Sequence, residues 1–183
     1  DTTAATCTDT FELTVTEPSG EPATQVTHTG DSGLGSLRQV IADAVAGDTI
    51  TFADDLSGNT ITLTSGQITI DKSLTIDGDL DDDGTPDLTI SGRQNSRIFL
   101  IDDGDDTHQV DVTLDGLVLT DARVDREPTG GAVLAHENLA VRNTVIRHSW
   151  AVMGGRRHRC RGRHYHPAWG RSGRQSCGKG LCL

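Results

Sequence analysis

Large rings are scarce in this chain: its 183 residues include three Phe, two Trp and one Tyr. A core must therefore be built from Ile, Leu, Val and Ala, within an apolar share of 34%. The length is enough for one domain with a core of its own. Cys7 stands alone among the first 150 residues, so no internal disulfide staples that body. No apolar run is long enough to cross a membrane as a helix. Negative charge is missing from the last part of the chain. Residues 1–150 hold all 27 acidic residues and eight of the 16 basic ones, whereas residues 151–183 hold the other eight basic residues and no acid. An acidic body repels nucleic acid and anionic lipid, which excludes them as its partners, and it suits a solvated surface and divalent cations. The chain opens on Asp1-Thr2-Thr3-Ala4-Ala5, with no basic stretch leading into an apolar one. The expectation is that a signal peptide has been removed or that the gene start is placed late.

What is abundant is threonine: 24 residues, all before position 150, most of them beside Ile, Leu or Val. β-Branched side chains at that density favour strands, because their restricted χ1 suits a pleated surface. Residues 1–28 read as a leader with one edge strand, where Phe11, Leu13 and Val15 alternate with polar neighbours ahead of Pro18. Residues 36–46 carry the one helical signal. Leu37, Val40, Ile41, Ala44 and Val45 form a single apolar stripe, Ser36 and Gln39 make a capping-box pair, and Gly47 is a suitable terminator. From residue 48 to 150 the chain becomes a series of very short strands separated by Gly, Asp and Asn. Examples are Thr49–Phe52, Thr60–Thr64, Gln67–Ile70, Ser73–Ile76, Leu88–Ser91, Arg97–Ile101, Val110–Leu114, Leu117–Thr120, Ala132–Leu134 and Leu139–Ile146. Asn-Gly, a strong hairpin dipeptide, does not occur. The corners of a solenoid need only a sharp bend, which Asp77-Gly78 and Asp115-Gly116 can supply.

The run Gly30-Asp31-Ser32-Gly33-Leu34-Gly35-Ser36-Leu37-Arg38-Gln39-Val40-Ile41-Ala42-Asp43-Ala44, followed by Gly47-Asp48-Thr49-Ile50-Thr51-Phe52, resembles the opening of pectin-lyase-like β-helix proteins of bacterial surfaces. Ile68 to Gly78 and Leu88 to Gly92 resemble the first rungs of that family. The resemblance covers about residues 29–148. It implies an all-β, right-handed parallel β-helix with a short N-terminal capping α-helix. It also implies a secreted or cell-surface protein of the adhesin or autotransporter-passenger type, with glycans or host and cell-surface components as partners. Catalysis is not implied, because the fold hosts enzymes and non-enzymes alike.

The strongest chemical motif is the acidic run from Asp77 to Asp87. Asp79, Asp81 and Asp83 followed by Gly84 reproduce the first half of a calcium loop, in which oxygen ligands at alternate positions converge as glycine turns the chain. Asp87 stands at the ninth position. Ile90 occupies the twelfth, where an EF-hand places a bidentate Glu, so an EF-hand is rejected. The expectation is a calcium turn bulging from a rung, weighed against a solvated acidic loop. For catalysis, a polysaccharide-cleaving β-helix needs paired carboxylates on one face, or calcium with a basic proton acceptor. The adjacent pairs Asp54-Asp55, Asp102-Asp103 and Asp105-Asp106 do not supply this, since neighbours in a strand point to opposite faces. Arg142-Asn143 and Arg147-His148 can lie on a lateral face. His28, His108 and His136 read as ordinary surface or turn residues, and Asn95 and Asn138 as corner residues that bond neighbouring rungs. A structural or adhesive module is the leading expectation, and a polysaccharide lyase or glycoside hydrolase is the alternative.

After Trp150 the pattern stops. Arg156 to His166 has neither strand nor helix period. The expectation is a shift of reading frame. Moved one nucleotide forward, the codons of His164-Tyr165-His166 encode only Ile or Thr, His158 becomes Ile or Thr, and Cys160 becomes Ala or Val. Gly154-Gly155-Arg156-Arg157 is then able to read as four glycines. The rival readings are an arginine-rich nucleic-acid arm and a zinc site drawn from His158, Cys160, His164, His166, Cys177 and Cys182. The zinc reading lacks a tight Cys-x-x-Cys pair.

Overall fold

A computed structural model describes residues 24–125, 130–153, 156–159 and 181–182. The proposed edge strand at Phe11–Val15 and most of the basic tail lie outside the described residues. Among the described residues the chain is a parallel β-solenoid of four turns with one α-helix at its start. A short strand β1 (Gln25–Val26) precedes helix α1 (Leu37–Asp43). The first turn is β2 (Thr49–Phe52), β3 (Thr60–Thr62) and β4 (Ile68–Ile70). The second is β5 (Leu74–Asp77), β6 (Leu88–Ser91) and β7 (Phe99–Ile101). The third is β8 (Asp111–Asp115), β9 (Leu117–Thr120), β10 (Arg123–Asp125) and β11 (Val133–Ala135). The fourth is β12 (Asn138–Val141), β13 (Val145–Arg147) and β14 (Trp150–Met153). Strands at the same place in successive turns pair in parallel, which makes one face of β1-β2-β5-β8-β12, a second of β3-β6-β9-β13 and a third of β4-β7-β11. Parallel strands joined by crossovers wind in the right-handed sense.

The apolar-Thr-apolar triplets fold this way because alternate residues of a strand face opposite sides. Register stacks like on like along the axis. Ile50, Ile76 and Leu114 form one inward column, Ile61, Ile90 and Leu119 a second, and Ile70, Ile101 and Ala135 a third. Every residue of these columns is buried. The threonines stack outward, as Thr49 on Thr75 and Thr60 on Thr89.

Helix α1 buries Leu37, Val40 and Ile41 into the same core and so closes the first turn. It is shorter than the expected 36–46, and its last residues differ from the expectation. Ala44 is extended, ending the helix before Val45, which is 65% exposed rather than part of the apolar stripe. Ser36 accepts a hydrogen bond from Gln39 N at 3.2 Å, but the Gln39 side chain turns to Asp43, so only half of the capping box forms. The C-terminal carbonyls are met by Lys72, whose Nζ lies 3.1 Å from Ala42 O and 3.2 Å from Ala44 O.

Arg38 and Asp31 of the opening motif clamp the helix to the first turn. Arg38 donates to Gln67 O at 2.9 Å, to Gly66 O at 2.7 Å and to Asp31 Oδ1 at 3.0 Å, while Asp31 also accepts from Ser65 N at 2.8 Å and Thr64 Oγ1 at 3.0 Å. Burial opposes charge on Asp31, but these donors together hold its carboxyl well below the usual carboxylate range.

Two further expectations are corrected. Leu139–Ile146 is not one strand: it breaks into β12 and β13 at a corner where Asn143 takes a positive φ of 42°. The regular fold also does not end at residue 150, since β14 runs across that boundary and pairs with β10. Beyond it, β15 (Arg156–Arg159) pairs antiparallel with β14 and β16 (Leu181–Cys182) antiparallel with β11, against the parallel rule of the coil.

Candidate functional site

The length of each turn is uneven, and the excess is acidic. Between the first two faces, the third turn bends on Gly116 alone, linking β8 directly to β9. At the same corner the second turn inserts residues 78–87, which hold Asp79, Asp81, Asp82, Asp83 and Asp87. The two corners are in contact. Gly78 lies so close to the third turn that a Cβ there would sit 2.7 Å from Gly116 O. Gly116 has a φ of 60°, and a Cβ on it would overlap the backbone of Asp79. The glycine corner is thus the floor on which the acidic loop rests.

Three of the four expected ligands come together. The carboxylates of Asp79, Asp81 and Asp83 offer oxygens that all lie within 4.8 Å of one another. Backbone amides inside the loop hold them there. Asp79 accepts from Asp83 N at 3.1 Å and Gly84 N at 2.8 Å, Asp81 accepts from Asp83 N at 3.3 Å, and Asp83 accepts from Thr85 N at 2.7 Å. The fourth, Asp87, has its carboxylate elsewhere: it accepts from Leu80 N at 2.8 Å and from Ser57 Oγ at 3.2 Å, pinning the base of the loop.

Crowding leaves an electrostatic signature. Asp83 N donates to Asp81 and favours its charge, yet desolvation and the charges of Asp83, Asp87 and Asp79 together raise the Asp81 carboxyl above its ordinary value. Asp77 at the foot of the loop is also raised, by burial first and then by Asp115, which stands beside it in register. Asp83 is held low by its bonds from the Thr85 hydroxyl and amide. Three oxygen donors in one loop, with two of the residues exposed, can offer part of a hard-cation shell, the remainder coming from water.

A second cluster went unnoticed in the sequence. Asp102 and Asp103 follow β7, Glu137 follows β11, and the pairing of Ile101 with Ala135 brings all three within 4.8 Å. Residues 102–110 are again an insertion, at the corner that the third turn crosses in two residues. This loop is closed by its own imidazole: His108 Nδ1 lies 2.9 Å from Asp103 Oδ2, raising the histidine and lowering the aspartate. Glu137 accepts from Val110 N at 3.3 Å. Spacing gives no hint of this group. The signal is the register itself, which sets an Asp pair after one strand beside a Glu after the next.

On the second face, a shallow groove of about 430 Å³ is lined by Thr60, Thr89, Ser91, Thr120, Asp121, Arg147 and His148. It contains one carboxylate. Asn138 bonds the neighbouring turn as expected, through Nδ2 to Asp111 Oδ1 at 3.0 Å, and Asn143 does the same to Asp115. His28 and His136 are half-buried and exposed respectively, and neither belongs to an acidic group.

Comparison with protein families, with curated proteins and with solved structures finds no match to this chain. Among the described residues, no helix is long and apolar enough to cross a membrane.

Proposed function

We propose that this chain is a secreted or surface-exposed β-helix module of the pectin-lyase-like kind, with a structural or adhesive role, in which calcium pins the acidic corner. Glycans or cell-surface components are its partners. The observation that carries the reading is the convergence of Asp79, Asp81 and Asp83 on a loop inserted where the next turn needs only Gly116. Carboxylates crowded in this way repel one another, and a divalent cation relieves that repulsion with the oxygen ligands it prefers. Millimolar calcium is the condition outside a cell that sites with few protein ligands require, which links the loop to the extracellular placement. The test is calorimetric titration of the whole chain with calcium, alongside Asp81→Ala and Asp83→Ala. Saturable heat in the parent and none in either variant supports the reading. No heat in the parent returns the loop to a solvated turn.

The lyase or hydrolase alternative has one observation in its favour, the groove in which Asp121, Arg147 and His148 lie near a row of hydroxyls. A single carboxylate lacks the acid/base pair of a glycosidase, so this route requires calcium to acidify the sugar and a basic side chain to accept the proton. Release of unsaturated or reducing ends from a panel of acidic and neutral polysaccharides, abolished by Arg147→Ala, would favour it over the binding module.

A further inference from the structure

The fourth turn ends in a seat for another. Among the described residues, β12 and β13 have a neighbour on one side only, at β8 and β9. Their inward residues Leu139 and Ile146 are half-buried, although the residues below them in register, Val112 and Leu119, are buried. A row of unpaired amides and carbonyls over a half-covered apolar column calls for one more parallel strand on each face.

The last turn fixes where that strand falls. Asn138 pairs with Asp111, Val145 with Val118 and Trp150 with Arg123, each 27 residues apart. The same step places Cys160 beside Val133 and Tyr165-His166-Pro167-Ala168 beside Asn138–Val141. Val133 is inward and buried, and Leu139 is inward. A Pro in the strand, with Arg and His crowded before it, cannot continue those columns. The genetic code offers a different set. One nucleotide forward, Cys160 becomes Ala or Val whichever codon Arg161 uses, which matches Val133. His164-Tyr165-His166 becomes a run of Ile or Thr at the level where β12 begins, the two residue types that fill this coil. These two matches are independent of each other, and both depend on a turn length measured in the structure.

We infer that the open end of the coil is the binding surface for a fifth turn of the same chain, encoded one nucleotide forward of residues 154–166, and that residues 154–183 as they stand are read out of that frame. The antiparallel β15 and β16 are what a sequence without the coil's pattern makes of the vacant edges. This holds whether or not the acidic loop takes calcium.

The experiment compares the chain as it is with one expressed from the same gene after removing one nucleotide following the codon of Met153. Hydrogen exchange is followed at the amides of 138–141 and 145–147. The shifted chain should slow their exchange at least tenfold and survive a protease that trims the present chain. Unchanged exchange, an insoluble product, or a stop codon before the level of residue 168 would overturn the inference. Tryptic peptides of the natural protein give a second readout: a peptide carrying the Ile/Thr run supports it, and one carrying His164-Tyr165-His166 refutes it.

Discussion

The loops 78–87 and 102–110 are the same device used in two ways. Both are acidic insertions at corners that the third turn crosses in one or two residues, and both gather three carboxylates within 4.8 Å. In the second, all three are half-buried and His108 bonds Asp103, as a cation when it is protonated. In the first, Asp81 and Asp83 are exposed and only backbone amides and the Thr85 hydroxyl face them. A loop that carries its own counter-charge is complete without a ligand, whereas a loop neutralised only by partial charges has room for one. The difference is one side chain at the right reach.

The comparison breaks most severely at Gly116. Gly116→Ala forces Ala into a left-handed backbone and drives its Cβ into Asp79, at a combined cost of about 3 kcal/mol. The melting temperature should fall, and amide exchange should rise in 78–87 while 102–110 keeps its protection. Next in size is calcium itself. At a free concentration 100 times the dissociation constant the chain should gain about 2.7 kcal/mol, read as a rise in melting temperature. Asp83→Ala should abolish that gain and Asp103→Ala should leave it intact. Equal losses in the two variants would erase the distinction between the loops.

The pH response should separate them by where each loop loosens. His108 is raised above its unfolded value of 6.5 by its bond to Asp103, so the stability it lends is whole below that value and is lost as pH climbs through the folded pKa. Asp103 is lowered, so its share is present above 3.8 and lost as pH falls through the folded pKa. Loop 102–110 should therefore be tightest between those limits and loosen on the alkaline side, and His108→Gln should remove the alkaline step. Asp77 and Asp81 are raised, so loop 78–87 is penalised by their charge and should tighten as pH falls through their folded values. Exchange rates of the two loops measured across pH 4 to 9, about the range spanned by carboxylate and imidazole titration, would show 78–87 loosening in the carboxylate range and 102–110 in the imidazole range. Coincident steps would refute the contrast.

The smallest effects lie one turn further along. Asn143→Ala loses the bond to Asp115 and places Ala at a φ of 42°, for about 1.5 kcal/mol. Asn138→Ala loses only an exposed bond to Asp111, for about 0.5 kcal/mol. Chemical denaturation should order them so.

The coil was legible because its rule is local. Inward Ile or Leu and outward Thr alternate in β2 to β6, so Ile61 and Thr60 declare their faces without help from distant residues. The break at Asn143 was hidden because Val141 to Ile146 is rich in β-branched residues, and only the positive φ separates the strands. Asp79, Asp81 and Asp83 could be read because a single loop holds them. Asp102, Asp103 and Glu137 could not, because their meeting depends on pairing across a full turn. The end of the helix rests on a contact that the stripe does not express: Lys72, far along the chain, meets the carbonyls of Ala42 and Ala44.

Helix α1 has a consequence for how such molecules would crowd together. It covers the core at one end of the coil, so among the described residues the half-buried apolar rim of each copy is at the other end, at β12 and β13. A body with two such rims would add copies without limit and grow fibres. A body with one can find a partner, rim to rim, and then has nothing left to offer a third.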